Sequence, residues 1–154
     1  MSESDPLRED APWRHPEPGR FIGRGHPSGD FLEAYDWRIV EERPGYYKLD
    51  VHLPPQVQNL RGPLFGGFTP TYVDLVAIRC VATLRSPGEP RSWHLTLNMH
   101  IDYLAPVVGP RFFIEANVLH ERSRTYLVET RFVSSDGELL VFSLTTIKRK
   151  ERDF

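Results

Sequence analysis

The sequence predicts an α+β domain in which an antiparallel sheet folds around one long helix. Three observations carry that expectation. Between Val73 and Leu84 only Asp74, Arg79 and Thr83 are polar, so a helix there is apolar nearly all round and reads as buried. From Trp93 the apolar pattern changes to period two and continues almost to the C-terminus. Strand-like runs also precede the helix, and the chain shows no internal repeat and no second domain. A chain of 154 residues buries roughly 68–70% of its unfolded surface, which is enough for a core without covalent staples.

The first thirty residues are rich in proline and charge and have no apolar period. Residues 1–30 therefore read as a tail, mobile or laid along the surface in extended form, with Trp13 and Phe21 available as anchors. The domain proper is residues 31–154. A short helix is expected from Asp30 through "DFLEAY", with Asp30 as cap. "WRIVEE" and "YYKLDVHL" read as strands, separated by "RPG", which has turn chemistry.

Val73, Val76, Ala77, Cys80, Val81 and Leu84 form an unbroken stripe at helical spacing. Thr69 is placed to cap this helix with Pro70 behind it, and "SPGEP" stops it. Four strands are expected after it: "HLTLNMHIDYL", "RFFIEANVLHE", "TYLVETRFVSS" and "ELLVFSLTTIKRK". "SSDG" (Ser134 to Gly137) is a hairpin signal between the last two.

Composition narrows the function classes. Nineteen basic against twenty-one acidic residues give a net charge of −2, not the basic bias of a dedicated nucleic-acid binder. The single cysteine, Cys80, excludes an intramolecular disulfide framework, fits a reducing, cytoplasmic setting, and sits in the apolar stripe as core. No apolar run reaches membrane-spanning length, and no apolar leader precedes a small-residue cleavage site.

The stretch "NLRGPLFGGFTPTYVDLV" carries the chemistry. Asp74 has Pro70, Thr71, Ala77 and Ile78 at helical neighbour positions, so no local cation pairs with it. A carboxylate in that position is neutral, paired from elsewhere, or facing a cleft. Gly66 and Gly67 stand where the loop enters the helix, and bare N–H groups at a helix's positive end can hold an anion or a developing oxyanion. A tight turn alone would also explain two glycines.

Taken together, "N-x-x-G-x-x-F-G-G" from Asn59 through Gly62 to Gly67, with an acid seven residues after the second glycine, resembles the hotdog-fold acyl-CoA thioesterases of the phenylacetate-pathway type. "TLNMHIDYLAPV" is similar to that family's hydroxyl-bearing strand, and the likeness continues through the strand and hairpin pattern of the C-terminal part. The resemblance implies a hotdog fold and hydrolysis of an acyl-CoA or acyl-carrier thioester. Under it the Gly66 N–H would meet the thioester carbonyl, and Asn59 would order the loop or the water. Asp74 would act as general base on water or attack the carbonyl directly. Thr96 takes the place of the hydroxyl that orients water. The implied site lies across a dimer seam, Asp74 of one subunit facing Gly66 of the other, so a homodimer or dimer of dimers is expected. Coenzyme A enters as part of the substrate; no cofactor and no metal are implied.

Phe65 stands where the family most often has histidine. It would line an apolar channel together with Gly67, or it marks a protein that binds acyl thioesters without turning them over. Positions 121 and 124 of "HERSR" (His120 to Arg124) are candidates for contact with coenzyme A phosphates, as is "KRK" (Lys148 to Lys150). His94, Thr96, Asn98, His100 and Asp102 alternate along one strand and are expected to share a polar face, with the two histidines too far apart for one zinc ion. A long alternating strand at a sheet edge also calls for a partner chain, independently of the resemblance.

Overall fold

The computed structural model describes residues 10–26, 30, 32–89 and 92–150. Strands β1 (Arg38–Arg43) and β2 (Tyr46–His52) precede helix α1 (Thr69–Ala82). Strands β3 (Trp93–Tyr103), β4 (Arg111–Arg122), β5 (Thr125–Ser134) and β6 (Leu139–Lys150) follow it. They form one six-stranded antiparallel sheet in the order β1-β2-β4-β5-β6-β3, so the chain crosses the whole sheet between β2 and β3 by way of the helix.

Alternation decides which side meets the helix. On β2 the residues Tyr47, Leu49 and Val51 are buried, and on β4 Phe112, Ile114 and Ala116. Tyr126, Val128 and Phe132 of β5 and Val141 and Ile147 of β6 complete the inner face. Tyr72 of α1 pins the helix to this face. Its ring lies parallel to Phe112 at 6.3 Å and edge-on to Trp37 at 4.8 Å. Truncating an aromatic side chain in such a cluster costs about 3–5 kcal/mol.

The N-terminal end of α1 differs from expectation. Thr69 is the first helical residue, 2% exposed, and makes no side-chain cap bond; Phe68 occupies the cap position. The reason is that a 3₁₀ turn, Gly66–Phe68, runs directly into the helix and already turns the chain. At the other end Thr83 donates its hydroxyl to the Cys80 carbonyl at 2.6 Å and accepts from the Gly45 N–H at 2.8 Å. The turn between β1 and β2 is thereby tied to the end of the helix.

The helix is also not buried all round. Tyr72, Val73, Val76, Ala77, Cys80 and Val81 are buried, whereas Asp74, Leu75 and Ile78 are half-buried and Thr71 and Arg79 are exposed. One side of an apolar helix is thus left open. The short helix expected from Asp30 is present at Asp30 and Leu32 but stops at Glu33, which is in the left-handed region, and a 3₁₀ turn, Ala34–Asp36, follows; Phe31 lies outside the described residues. Within the stretch read as a tail, residues 19–21 meet the start of β1. Arg20 bridges Arg38, the Phe21 N–H donates to the Trp37 carbonyl at 3.2 Å, and the Phe21 ring packs on Trp37. Among the described residues no helix is long and apolar enough to cross a membrane.

Candidate active site

Three pieces of the chain converge at the open side of α1. The first is the loop before it. The Asn59 carboxamide oxygen accepts from the Arg61 N–H at 2.8 Å, its N–H donates to the Pro63 carbonyl, and its own carbonyl accepts from Gly62, whose φ is 103°. Asn59 therefore builds the turn rather than pointing into the site. The loop is anchored by Leu64 N–H to Val107 and Phe65 N–H to Val57, both 2.8 Å. Gly66 and Gly67 then head the helical segment, where N–H groups have no intrahelical acceptor.

Phe65 folds back over Gly67. A Cβ on Gly67 would lie 2.8 Å from the Phe65 ring, so this glycine makes room for the ring, which remains 53% exposed. Tyr103, at the far end of β3, donates its hydroxyl to the Gly66 carbonyl at 3.0 Å. The helix tip is held from two sides.

The second piece is Asp74, one of the half-buried residues on the open side of α1. Among the described residues it has no cationic partner. Its contact is with the third piece, β3: the Thr96 hydroxyl donates to Asp74 Oδ1.

Thr96 reaches the helix because β3 is irregular. Its register on β6 pairs Thr96 with Ile147 and Asn98 with Thr146, leaving Leu97 as a bulge. Thr96 and His94 therefore share the inner face with Met99, Ile101 and Tyr103, opposite Thr145, Ser143 and Val141. Asn98, His100 and Asp102 point outward, where His100 and Asp102 sit 3.3 Å apart, both exposed. The single polar face expected from strict alternation is corrected: the bulge divides it, and His94 and His100 lie on opposite sides of the sheet. A bulge leaves no signature in the period-two pattern, so sequence reasoning could not place it.

Beyond Asp74 the open side of α1 borders a cavity of about 770 Å³. Leu75, Ile78 and Ala82 line it from the helix, Trp13, Phe21 and Ile22 from the N-terminal segment, and His94, Tyr126 and Arg149 from the sheet. Trp13, Phe21 and Ile22 enter as cavity-lining residues that sequence reasoning missed, and Arg149, expected as part of "KRK" to meet coenzyme A phosphates, lines the cavity instead. Only the proximity of the chain ends in the fold reveals them. Burial, with Arg149 nearby, holds the His94 imidazole below its usual range. Burial pushes the Cys80 thiol up to about 12, which leaves it an inert core group.

Position 121 is corrected as a phosphate contact. It is Glu121, an acid that repels phosphate and lies opposite Tyr126 in the sheet. The cations of that connection are Arg122 and Arg124. The Arg124 carbonyl accepts from the Arg149 N–H at 2.8 Å, so "HERSR" and "KRK" meet at one end of the sheet.

The family model for the thioesterase superfamily matches residues 62–141. A hypothetical thioesterase from Streptococcus pneumoniae TIGR4, solved with coenzyme A, is similar to the chain at 18% identity and TM-score 0.69, over 80% of this chain and 91% of that one. That protein has also been solved with a single aspartate and, separately, a single threonine changed to alanine. A thioesterase from Haemophilus influenzae is similar at 12% identity and TM-score 0.71, over 84% and 89% of the two chains. Zebra fish thioesterase superfamily member 2 is similar at 21% identity and TM-score 0.69, over 81% and 88%. No curated protein matches.

Proposed function

The chain belongs to the thioesterase superfamily, and from that premise we propose that it hydrolyses an acyl-CoA or acyl-carrier thioester, as the phenylacetate-pathway type it resembles does. The observation that carries the proposal is the Thr96–Asp74 hydrogen bond on the open side of α1. With Oδ1 held by the hydroxyl, Oδ2 is left to take a proton from water. The Thr96 oxygen keeps lone pairs that can accept from the same water. This favours Asp74 as general base over direct attack on the carbonyl.

The carbonyl needs a donor, and the helix tip supplies one. Developing negative charge on the thioester oxygen would be met by the Gly66 N–H and the positive end of α1. Gly66 and Asp74 of one chain cannot share a substrate, since eight helical residues separate them by about 12 Å. A second copy removes the difficulty. The two sheet edges differ in a way that supports it: β1 is charged and covered in part by Arg20, whereas β3 is apolar, with Leu97 57% exposed, and Trp93 and Leu95 exposed beside it. Pairing of two copies along β3 would bring each Asp74 toward its partner's helix tip. Asn59 acts here as a loop-positioning residue. Arg124, with Arg122 at the same turn, would meet coenzyme A phosphates. Streptococcus pneumoniae thioesterase, with coenzyme A in its structure, makes that substrate class a reasonable first choice.

Phe65 favours a second reading, an acyl-thioester binder without turnover, because a phenyl ring cannot hydrogen-bond where the resembled family has histidine. One assay separates the two: thiol release from a panel of acyl-CoAs, with wild type and Asp74→Ala. Release that falls at least a hundredfold in the variant is the expected result. Equal rates would remove Asp74 from the chemistry. No release from any member, with tight binding of a non-hydrolysable acyl-CoA, would establish the binder.

A further inference from the structure

The cavity beyond Asp74 has a character that hydrolysis alone does not require. Its helical floor is apolar, Leu75, Ile78 and Ala82, and Trp13, Phe21 and Ile22 wall it from the N-terminal segment. Its far end carries the Arg149 guanidinium, with Glu89 and Glu121 also on the lining. Arg149 pairs with His94 across β6 and β3, on the same inner face as Thr96. Lys148 and Lys150, flanking it, alternate to the outer face.

Most charges around the cavity already have partners. Arg79 lies 3.5 Å from Glu42, and Arg85 donates to the Glu89 carbonyl at 2.8 Å. Arg14 interacts with the His26 imidazole. Glu121 lies beside the Tyr126 hydroxyl. Among the described residues no carboxylate pairs with the Arg149 guanidinium. A planar, permanently charged fork at the end of an apolar slot is matched by a carboxylate.

Distance decides which part of a substrate brings it. His94 precedes Thr96 by two strand residues, so Arg149 stands about 7 Å further along the inner face than the hydroxyl on Asp74. The pantetheine arm of coenzyme A holds its phosphates further than that from the thioester. An anion at Arg149 therefore belongs to the acyl group. We propose that the cavity receives the acyl group and that Arg149 selects short acyl groups, one aromatic ring or a short aliphatic chain, that end in a carboxylate. The cavity volume falls within the range of small-molecule sites, roughly 300–1,000 Å³, and exceeds what an acetyl group needs.

This inference rests on the hydrolase reading, and the test separates the two. The full chain is assayed with matched pairs, benzoyl-CoA against 4-carboxybenzoyl-CoA and hexanoyl-CoA against 5-carboxypentanoyl-CoA, as wild type, Arg149→Gln and Arg149→Lys. The expected result is a kcat/KM ratio favouring the carboxylated member by about tenfold or more. That ratio falls toward unity in Arg149→Gln and recovers in part in Arg149→Lys. Hydrolysis of the pairs with a ratio at or below unity in wild type overturns the selection while leaving hydrolysis standing, as does a ratio that Arg149→Gln leaves intact. If no thioester is cleaved, the hydrolase reading fails alone, and calorimetry with non-hydrolysable analogues of each pair reads the preference directly. Equal affinities for the two members would then overturn it.

Discussion

Thr96 of β3 donates its hydroxyl to Asp74 of α1, joining two elements whose contact depends on one bulged residue, Leu97. If the two side chains act on one water, their effects do not add. Asp74→Ala should lower kcat/KM by about 10²–10⁴-fold, and Thr96→Ala by about tenfold through loss of one hydrogen bond to a charged group. The double variant should be no slower than Asp74→Ala alone, because Thr96 has nothing left to orient. Thr96→Ser should recover most of the rate. Additive losses in the double variant would separate Thr96 from the action of Asp74.

The Phe65 ring occupies the space that a side chain on Gly67 would need. Gly67→Ala brings a Cβ within 2.8 Å of that ring. The ring is the exposed end of a side chain and can swing away, so the melting temperature should hardly change. Acyl-thioester turnover should fall, because Phe65 is displaced from the position it holds over the helix tip. Combining Gly67→Ala with Phe65→Ala relieves the clash, and the second change should then cost less in the Gly67→Ala background than in wild type. Steady-state kinetics on the four proteins checks this coupling.

Three buried groups couple stability to alkaline pH in the same direction. Burial raises the Cys80 thiol from 9.0 to about 12 and the Tyr47 hydroxyl from 10.0 to about 12, and it raises Tyr72 further. A group with a raised pKa in the folded state contributes stability that is complete below its unfolded pKa and is lost as pH climbs toward the folded one. Unfolding free energy should therefore decline from about pH 9 upward, by at most about 1.4 kcal/mol per pH unit for each group. Cys80→Ala and Tyr47→Phe should each flatten the decline. Urea melts between pH 7 and 11 measure the slopes, and parallel slopes in wild type and variants would remove these groups as its cause.

The sheet-and-helix fold was legible because two periods, 3.6 and 2, are printed in the order of apolar residues from Val73 onward. Asp74, Gly66 and Gly67 were legible because they lie within one continuous stretch. What the sequence hid depends on contacts between distant segments. The bulge at Leu97 turns Thr96 inward and Asn98 outward, against strict alternation. The open side of α1 looks apolar in sequence, because Leu75 and Ile78 face a cavity rather than the sheet. Arg149 reads in sequence as one of three basic residues for coenzyme A phosphates, and only its register opposite His94 turns it inward. Residues 10–26 carry no period, yet Phe21 and Trp37 pack together because β1 offers them a bridge at Arg38.

A site shared between two copies makes a prediction that a site within one chain does not. A Cβ added at Gly66 would sit 3.6 Å from Tyr103 Cε1, an ordinary contact, and a branched side chain there should cover the N–H at the helix tip. Gly66→Val and Asp74→Ala should each be inactive as pure proteins. Unfolding the two together in equal amounts and refolding them should produce mixed dimers in which one site carries both lesions and the other carries neither. Random pairing makes half the molecules mixed, each with one intact site of two, so about a quarter of wild-type activity should return. A refolded mixture of wild type and Asp74→Ala serves as the control for refolding yield. Sedimentation of the same samples should give a dimer, and Leu97→Glu, by charging the apolar edge of β3, should shift it toward monomer and abolish turnover together. If the mixture stays inactive while dimers form, each chain must complete its own site, and the seam between copies is not where the carbonyl is held.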